Sequence, residues 1–161
     1  MKIVVLVCFY FFSLYAGEVK HISFSGKDLV LIEESYNLYD SKGNSVKFYL
    51  ENKNMDLHFL KTFVLDDKSG DCMKGELENG IYKIEGSELV FYSVKYEKKK
   101  LGKVPFYAKI AKYKLQDGEL KLIDKKLYSK DSGDAHVLDR VQKVIKSSKK
   151  TTLTPWKKGL K

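Results

Sequence analysis

The residues of this chain best equipped for chemistry are one cysteine, three histidines and a run of carboxylates. Cys72 follows Ser69-Gly70-Asp71. A catalytic thiol needs a histidine or another cation beside it to lower its pKa. His21, His58 and His136 all lie far from Cys72 in sequence. His58 falls on an expected strand, so a Cys72–His58 pair is the one nucleophilic arrangement on offer, and a plain unpaired thiol is the simpler reading. Asp66, Asp67 and Asp71 cluster around Gly70. Calcium takes several oxygen ligands on a tight loop, but this spacing lacks the downstream glutamate of an EF-hand. It reads as a turn whose Asp side chains bond the backbone. The histidines show no zinc spacing. The chain holds no nucleophile elbow and no glycine-rich phosphate loop. No catalytic residue, cofactor or metal is called for.

The elements that must carry these residues are strands. Between residues 17 and 130, short apolar runs alternate with turn signals such as Ser25-Gly26, Asn52-Lys53-Asn54, Asn79-Gly80, Glu85-Gly86 and Asp117-Gly118. Asn79-Gly80 and Asp117-Gly118 are the strongest hairpin signals, since both residues of each pair tolerate positive φ. Val46, Phe48 and Leu50 share a face, as do Phe106, Ala108 and Ile110. Leu57, Phe59, Phe63 and Leu65 are read as sharing another. Residues 89–92 are apolar on both faces, which suits a central strand. The count is about eight antiparallel strands, at the spacing of an all-β barrel or sandwich.

One segment follows another period. Val137, Leu138, Val141, Val144 and Ile145 fall on one face of a helix from Ala135 to about Ser147, with Asp134 as its N-cap. A strand meander followed by a helix resembles the lipocalins in outline. That resemblance is architectural, rests on no signature residues, and bears on fold alone.

Length and composition bound the rest. With 161 residues, 43% of them hydrophobic, the chain suits one domain and is too apolar for the disordered class. The formal net charge is +9, and it is uneven. Arg140, Lys143, Lys146, Lys149, Lys150, Lys157, Lys158 and Lys161 stand in a C-terminal stretch without an acid. Residues 17–139 are formally neutral. Residues 149–161 are expected to form a flexible basic tail, in which Lys149, Lys150, Trp156, Lys157, Lys158 and Lys161 are the candidate contacts to an anionic surface. Lys98, Lys99 and Lys100 form a second basic run at an expected hairpin tip, where charge keeps strand edges apart. A nucleic-acid partner is not expected, because the neutral body carries no recognition motif.

The N-terminus suggests the compartment. Lys2 precedes an almost unbroken apolar run from Ile3 to Tyr15, and Ala16 then supplies a small residue. This is the pattern of a secretory signal at residues 1–16, shorter than the ~20 residues a spanning helix needs. Cys8 would leave with it, so that Cys72 has no partner for an internal disulfide and an intermolecular one is the alternative. The expected layout is signal 1–16, a β domain with its helix over 17–148, and the tail. Three functions are compatible with it. The first is a periplasmic or extracellular binding protein for a small apolar ligand. The second is an interaction or inhibitor module acting on an envelope protein or an anionic surface. The third is an enzyme, which no motif supports. A hollow interior would favour the first, and a filled interior with exposed apolar surface the second.

Overall fold

The computed structural model describes residues 18–38, 41–69, 76–99 and 102–151. The expected signal, Cys72, Trp156, Lys157, Lys158 and Lys161 lie outside them. The chain is mainly β, as the sequence patterning requires. Eight antiparallel strands form one meander sheet in sequence order: β1 (Val19–Phe24), β2 (Lys27–Leu38), β3 (Ser41–Glu51), β4 (Leu57–Ser69), β5 (Glu76–Glu85), β6 (Glu88–Lys99), β7 (Gly102–Gln116) and β8 (Glu119–Ser129). Helix α1 (Ala135–Thr151) follows. The sheet is not closed: among the described residues β1 pairs only with β2, and β8 only with β7.

The meander bends between β4 and β5. Those strands share four ladder pairs, Asp66–Ser69 against Glu76–Asn79, whereas β5 and β6 share ten. Beyond the joint the two strands separate, and the halves β1–β4 and β5–β8 face each other. Phe24, Leu29, Leu31, Val46, Phe48 and Phe63 of the first half meet Leu89, Phe91, Ala111 and Tyr113 of the second in one buried cluster. The opposite face of the second half receives α1. There Leu138, Val141 and Ile145 pack on Leu77, Ile81, Val94, Tyr96 and Ala108. β6 serves both layers, with Leu89 and Phe91 toward the first half and Val94 and Tyr96 under the helix. That is the central strand that the two-sided apolar run predicts.

Three sequence expectations change. Asn79-Gly80 is no turn but lies inside β5. A Cβ on Gly80 would stand 2.6 Å from the Val64 carbonyl oxygen and 2.7 Å from Phe91 Cζ, so the glycine is there for close approach, not for positive φ. Asp66, Asp67 and Ser69 lie in the β4–β5 ladder, not in a turn. Leu57, Phe59, Phe63 and Leu65 do not share a face. Phe48 opposes Lys61 and Tyr49 opposes Phe59, leaving Leu60 as an extra residue. Such a bulge reverses the alternation. Phe63 is 4% exposed in the core, while Leu57 and Phe59 are 45% and 50% exposed. Asp117-Gly118, by contrast, does form a hairpin turn, with φ of 54° and 78°. The Asp134 carbonyl accepts from the Val137 and Leu138 amides, which starts α1 where the sequence places it. The helix continues past Ser147 to Thr151, so the backbone of Lys149 and Lys150 is helical.

Candidate functional site

The space between the two halves is filled. Phe48 meets Phe63 and Tyr82 edge-on, with ring centroids 5.3 and 5.1 Å apart. Phe63 continues to Phe91 at 4.9 Å and to Tyr113 at 5.3 Å. These five rings pack together between the two halves. Two clefts open among the described residues.

The first cleft, of about 730 Å³, opens where β1 and β2 come opposite β5. Its walls carry Glu18, Lys20, Glu33, Asn44, Asp66 and Tyr82. Lys20 sits between two acids. Lys20 Nζ lies 3.0 Å from Glu33 and 3.4 Å from Glu18. Burial works to lower the Lys20 pKa, but the hydrogen bond and charge of Glu33 outweigh it and the pKa rises. Ser35 donates to Asn44 Oδ1 at 2.6 Å, and Asn44 Nδ2 donates to the Asp66 carboxylate at 2.8 Å. The Tyr36 hydroxyl lies nearby, 3.4 Å from the Asp66 carbonyl oxygen. Burial, and after it the Asp67 carboxylate, push its pKa up to about 12. Asp67 Oδ1 is itself buried without a hydrogen-bond partner. The network is self-satisfied apart from that oxygen.

The second cleft, of about 490 Å³, lies on the inner face of β6–β8 and is lined by Glu78, Lys95, Phe106, Tyr107, Lys109 and Lys125. The register explains the lysines. Phe91 opposes Ala111, which opposes Lys125; Ser93 opposes Lys109; Lys95 opposes Tyr107. Lys125, Lys109 and Lys95 therefore run diagonally across three adjacent strands, at the ~7–8 Å separation of diagonal neighbours. Lys109 Nζ sits over the Phe91 ring at 5.4 Å, and Lys61 of β4 sits over Tyr113 at 5.2 Å. Glu78, directly opposite Lys95, is the one carboxylate among the described lining residues. Among the described residues Lys109 and Lys125 are in no ion pair. Beside them β8 leaves Leu122, Ile123 and Leu127 about half exposed.

Few of the candidates drawn from sequence fall among the described residues. Lys149 and Lys150 are on α1, while Trp156, Lys157, Lys158 and Lys161 fall outside the described residues, as does Cys72, so its pairing with His58 has no geometry. Among the described residues no group of three His, Cys, Asp or Glu side chains is placed to hold a metal ion, and no helix is long and apolar enough to cross a membrane. The diagonal lysines escaped a linear reading because each lies on a different strand. The available signal was parity: on β6 the face that begins Leu89-Phe91 turns polar at Ser93 and Lys95. No family model matches this chain, and no curated protein or solved structure matches it either.

Proposed function

We propose that this protein is an exported, non-catalytic binding module that engages an anionic partner on open surface. The observation that carries this reading is the contrast between a closed interior and a basic inner face. The five-ring cluster occupies the space an enclosed apolar ligand would need, while Lys95, Lys109 and Lys125 line a surface cleft with one acid among them. A cleft lined by one sign of charge focuses field and draws oppositely charged partners. The basic residues from Arg140 to Lys161 add to the same preference. Export rests on the basic Lys2 and the apolar run to Tyr15.

Two measurements test the reading. The exported protein should be retained on phosphatidylglycerol vesicles and not on phosphatidylcholine vesicles, with retention fading as salt rises through the range where the screening length falls below ~10 Å. Native mass spectrometry of the protein taken from its own compartment should show the bare polypeptide mass. An apolar molecule bound in stoichiometric amount, or retention indifferent to lipid charge and salt, would overturn it.

A further inference from the structure

We infer that Lys95, Lys109 and Lys125 form a binding site for a compact oxyanion carrying two or more negative charges, of the phosphoryl class. The inference rests on the anionic-partner reading above and deepens it by giving the site and its ligand chemistry. The three ammonium groups come from β6, β7 and β8 and face one cleft. Like charges on neighbouring strands repel, and the repulsion grows as the groups leave water. Lys95 and Lys109 are half-buried. Glu78 faces Lys95 across the ladder, leaving Lys109 and Lys125 without an acid among the described residues. Lys109 is held over the Phe91 ring, which fixes its stem without cancelling its charge.

A lysine ammonium serves phosphate as a compact charge with three rotatable donors. The Tyr107 hydroxyl stands in the same wall as a neutral donor. The cleft, at about 490 Å³, has room for a diphosphate-sized group with part of its hydration. The chemistry is common to a free phosphate compound and to a lipid headgroup. Half-exposed Leu127, which opposes Lys109 on β8, would lie against the acyl end of a lipid.

The test uses the full exported chain and two double variants of equal charge change. Lys109→Gln/Lys125→Gln empties the cleft of its unpaired cations. Lys112→Gln/Lys121→Gln removes two lysines that are ion-paired to Glu88 and Asp117 instead. Calorimetric titration with inorganic pyrophosphate at low salt should show affinity reduced at least about tenfold in the cleft variant and less than about twofold in the control. Sedimentation with phosphatidic acid vesicles, whose headgroup is a phosphomonoester approaching two negative charges at neutral pH, forms the second arm. If pyrophosphate binds and displaces the protein from vesicles, the site takes the free and the lipid-borne anion alike. If vesicles bind, pyrophosphate does not, and the cleft variant alone loses binding, the source is the lipid headgroup. Equal binding by both variants in either arm would overturn the site while leaving the wider anionic reading standing. Failure of the unaltered protein in both arms would overturn both. Unchanged circular dichroism melts keep any loss of binding from being a loss of fold, and Lys109→Arg, which keeps the charge, should retain most of the affinity.

Discussion

Phe48→Ala puts the filled interior to the test. Phe48 is fully buried at the centre of the ring cluster and touches both halves, meeting Phe63 from β4 and Tyr82 from β5. Truncating a buried phenylalanine costs ~3–5 kcal/mol, because the lost transfer energy is joined by the energy of the cavity left behind. Whole-domain stabilities run at ~5–15 kcal/mol, so about a fifth or more of the total is at stake. At this size each kcal/mol corresponds to ~2–4 °C, which places the fall in melting temperature at ~6–20 °C. Phe59→Ala is the matched control. That ring is 50% exposed and touches Tyr49 at 5.7 Å on the outer side. With half its surface already wet, its loss should cost ~1 kcal/mol. Urea unfolding of the two variants, compared at unchanged slope, measures the difference directly. If Phe48→Ala costs no more than Phe59→Ala, the space between the halves is not a close-packed core. The argument against an enclosed ligand would then fall with it.

Other substitutions test the joints. Gly80→Val should destabilise by ~1–3 kcal/mol or more, since the new Cβ enters the space of the Val64 carbonyl and the Phe91 ring; a neutral melt would show that β4 and β5 do not approach so closely. Leu138→Ala should cost ~2–5 kcal/mol by unpacking α1 from β5–β7; a change within experimental error in chemical denaturation would mean that the helix is not docked. Tyr36 and Tyr92 are both pushed up to about 12, by burial first and then by Asp67 and Glu85 respectively. Folded phenols with raised pKa hold their protons more tightly than unfolded ones, so this contribution is present below pH ~10 and is lost as pH rises toward 12. Tyrosinate absorbance should therefore lose one late-titrating group in Tyr36→Phe and one in Tyr92→Phe; unchanged titration curves would refute the assignment.

Where the sequence was legible, the physics was local. The stripe from Val137 to Ile145 needs only a helical period to be read, and it docks as read. Asp117-Gly118 makes its turn because both residues accept positive φ. The failures come from contacts between distant parts of the chain. Asn79-Gly80 has the same turn chemistry, but Gly80 is spent on the passage of β4, which no local pattern encodes. Leu57 and Phe63 are an even number apart, and strict alternation puts them on one face; a single extra residue at Leu60 moves them to opposite faces. The lysine cleft needs the pairings β6–β7 and β7–β8 to be known together before its diagonal exists.

The bend that closes the core also opens the cleft. If β4 and β5 were paired along their whole length, the sheet would continue flat past the joint, and Phe48, Phe63 and Phe91 would have nothing to face. Four pairs are enough to join the strands, and Gly80 lets β4 cross close over β5 so that the first half can fold back. A strand that leaves its neighbour at an angle covers only part of the face below it. Coverage is complete over Phe91, Ala111 and Tyr113, all below 10% exposed, and lapses toward Lys95, Lys109, Lys125 and Leu127. The residue types follow that geometry, apolar under the cover and cationic or half-exposed beyond it. A fully covered inner face could not hold Lys109 and Lys125, because both would have to be desolvated without an acid beside them. Lys125→Leu should therefore be tolerated, raising the melting temperature or leaving it within about 2 °C, because the exposed lysine makes no ion pair within the described fold. A large destabilisation by Lys125→Leu would mean that the lysine is held by interactions within the fold, and that the cleft is not waiting for an anion.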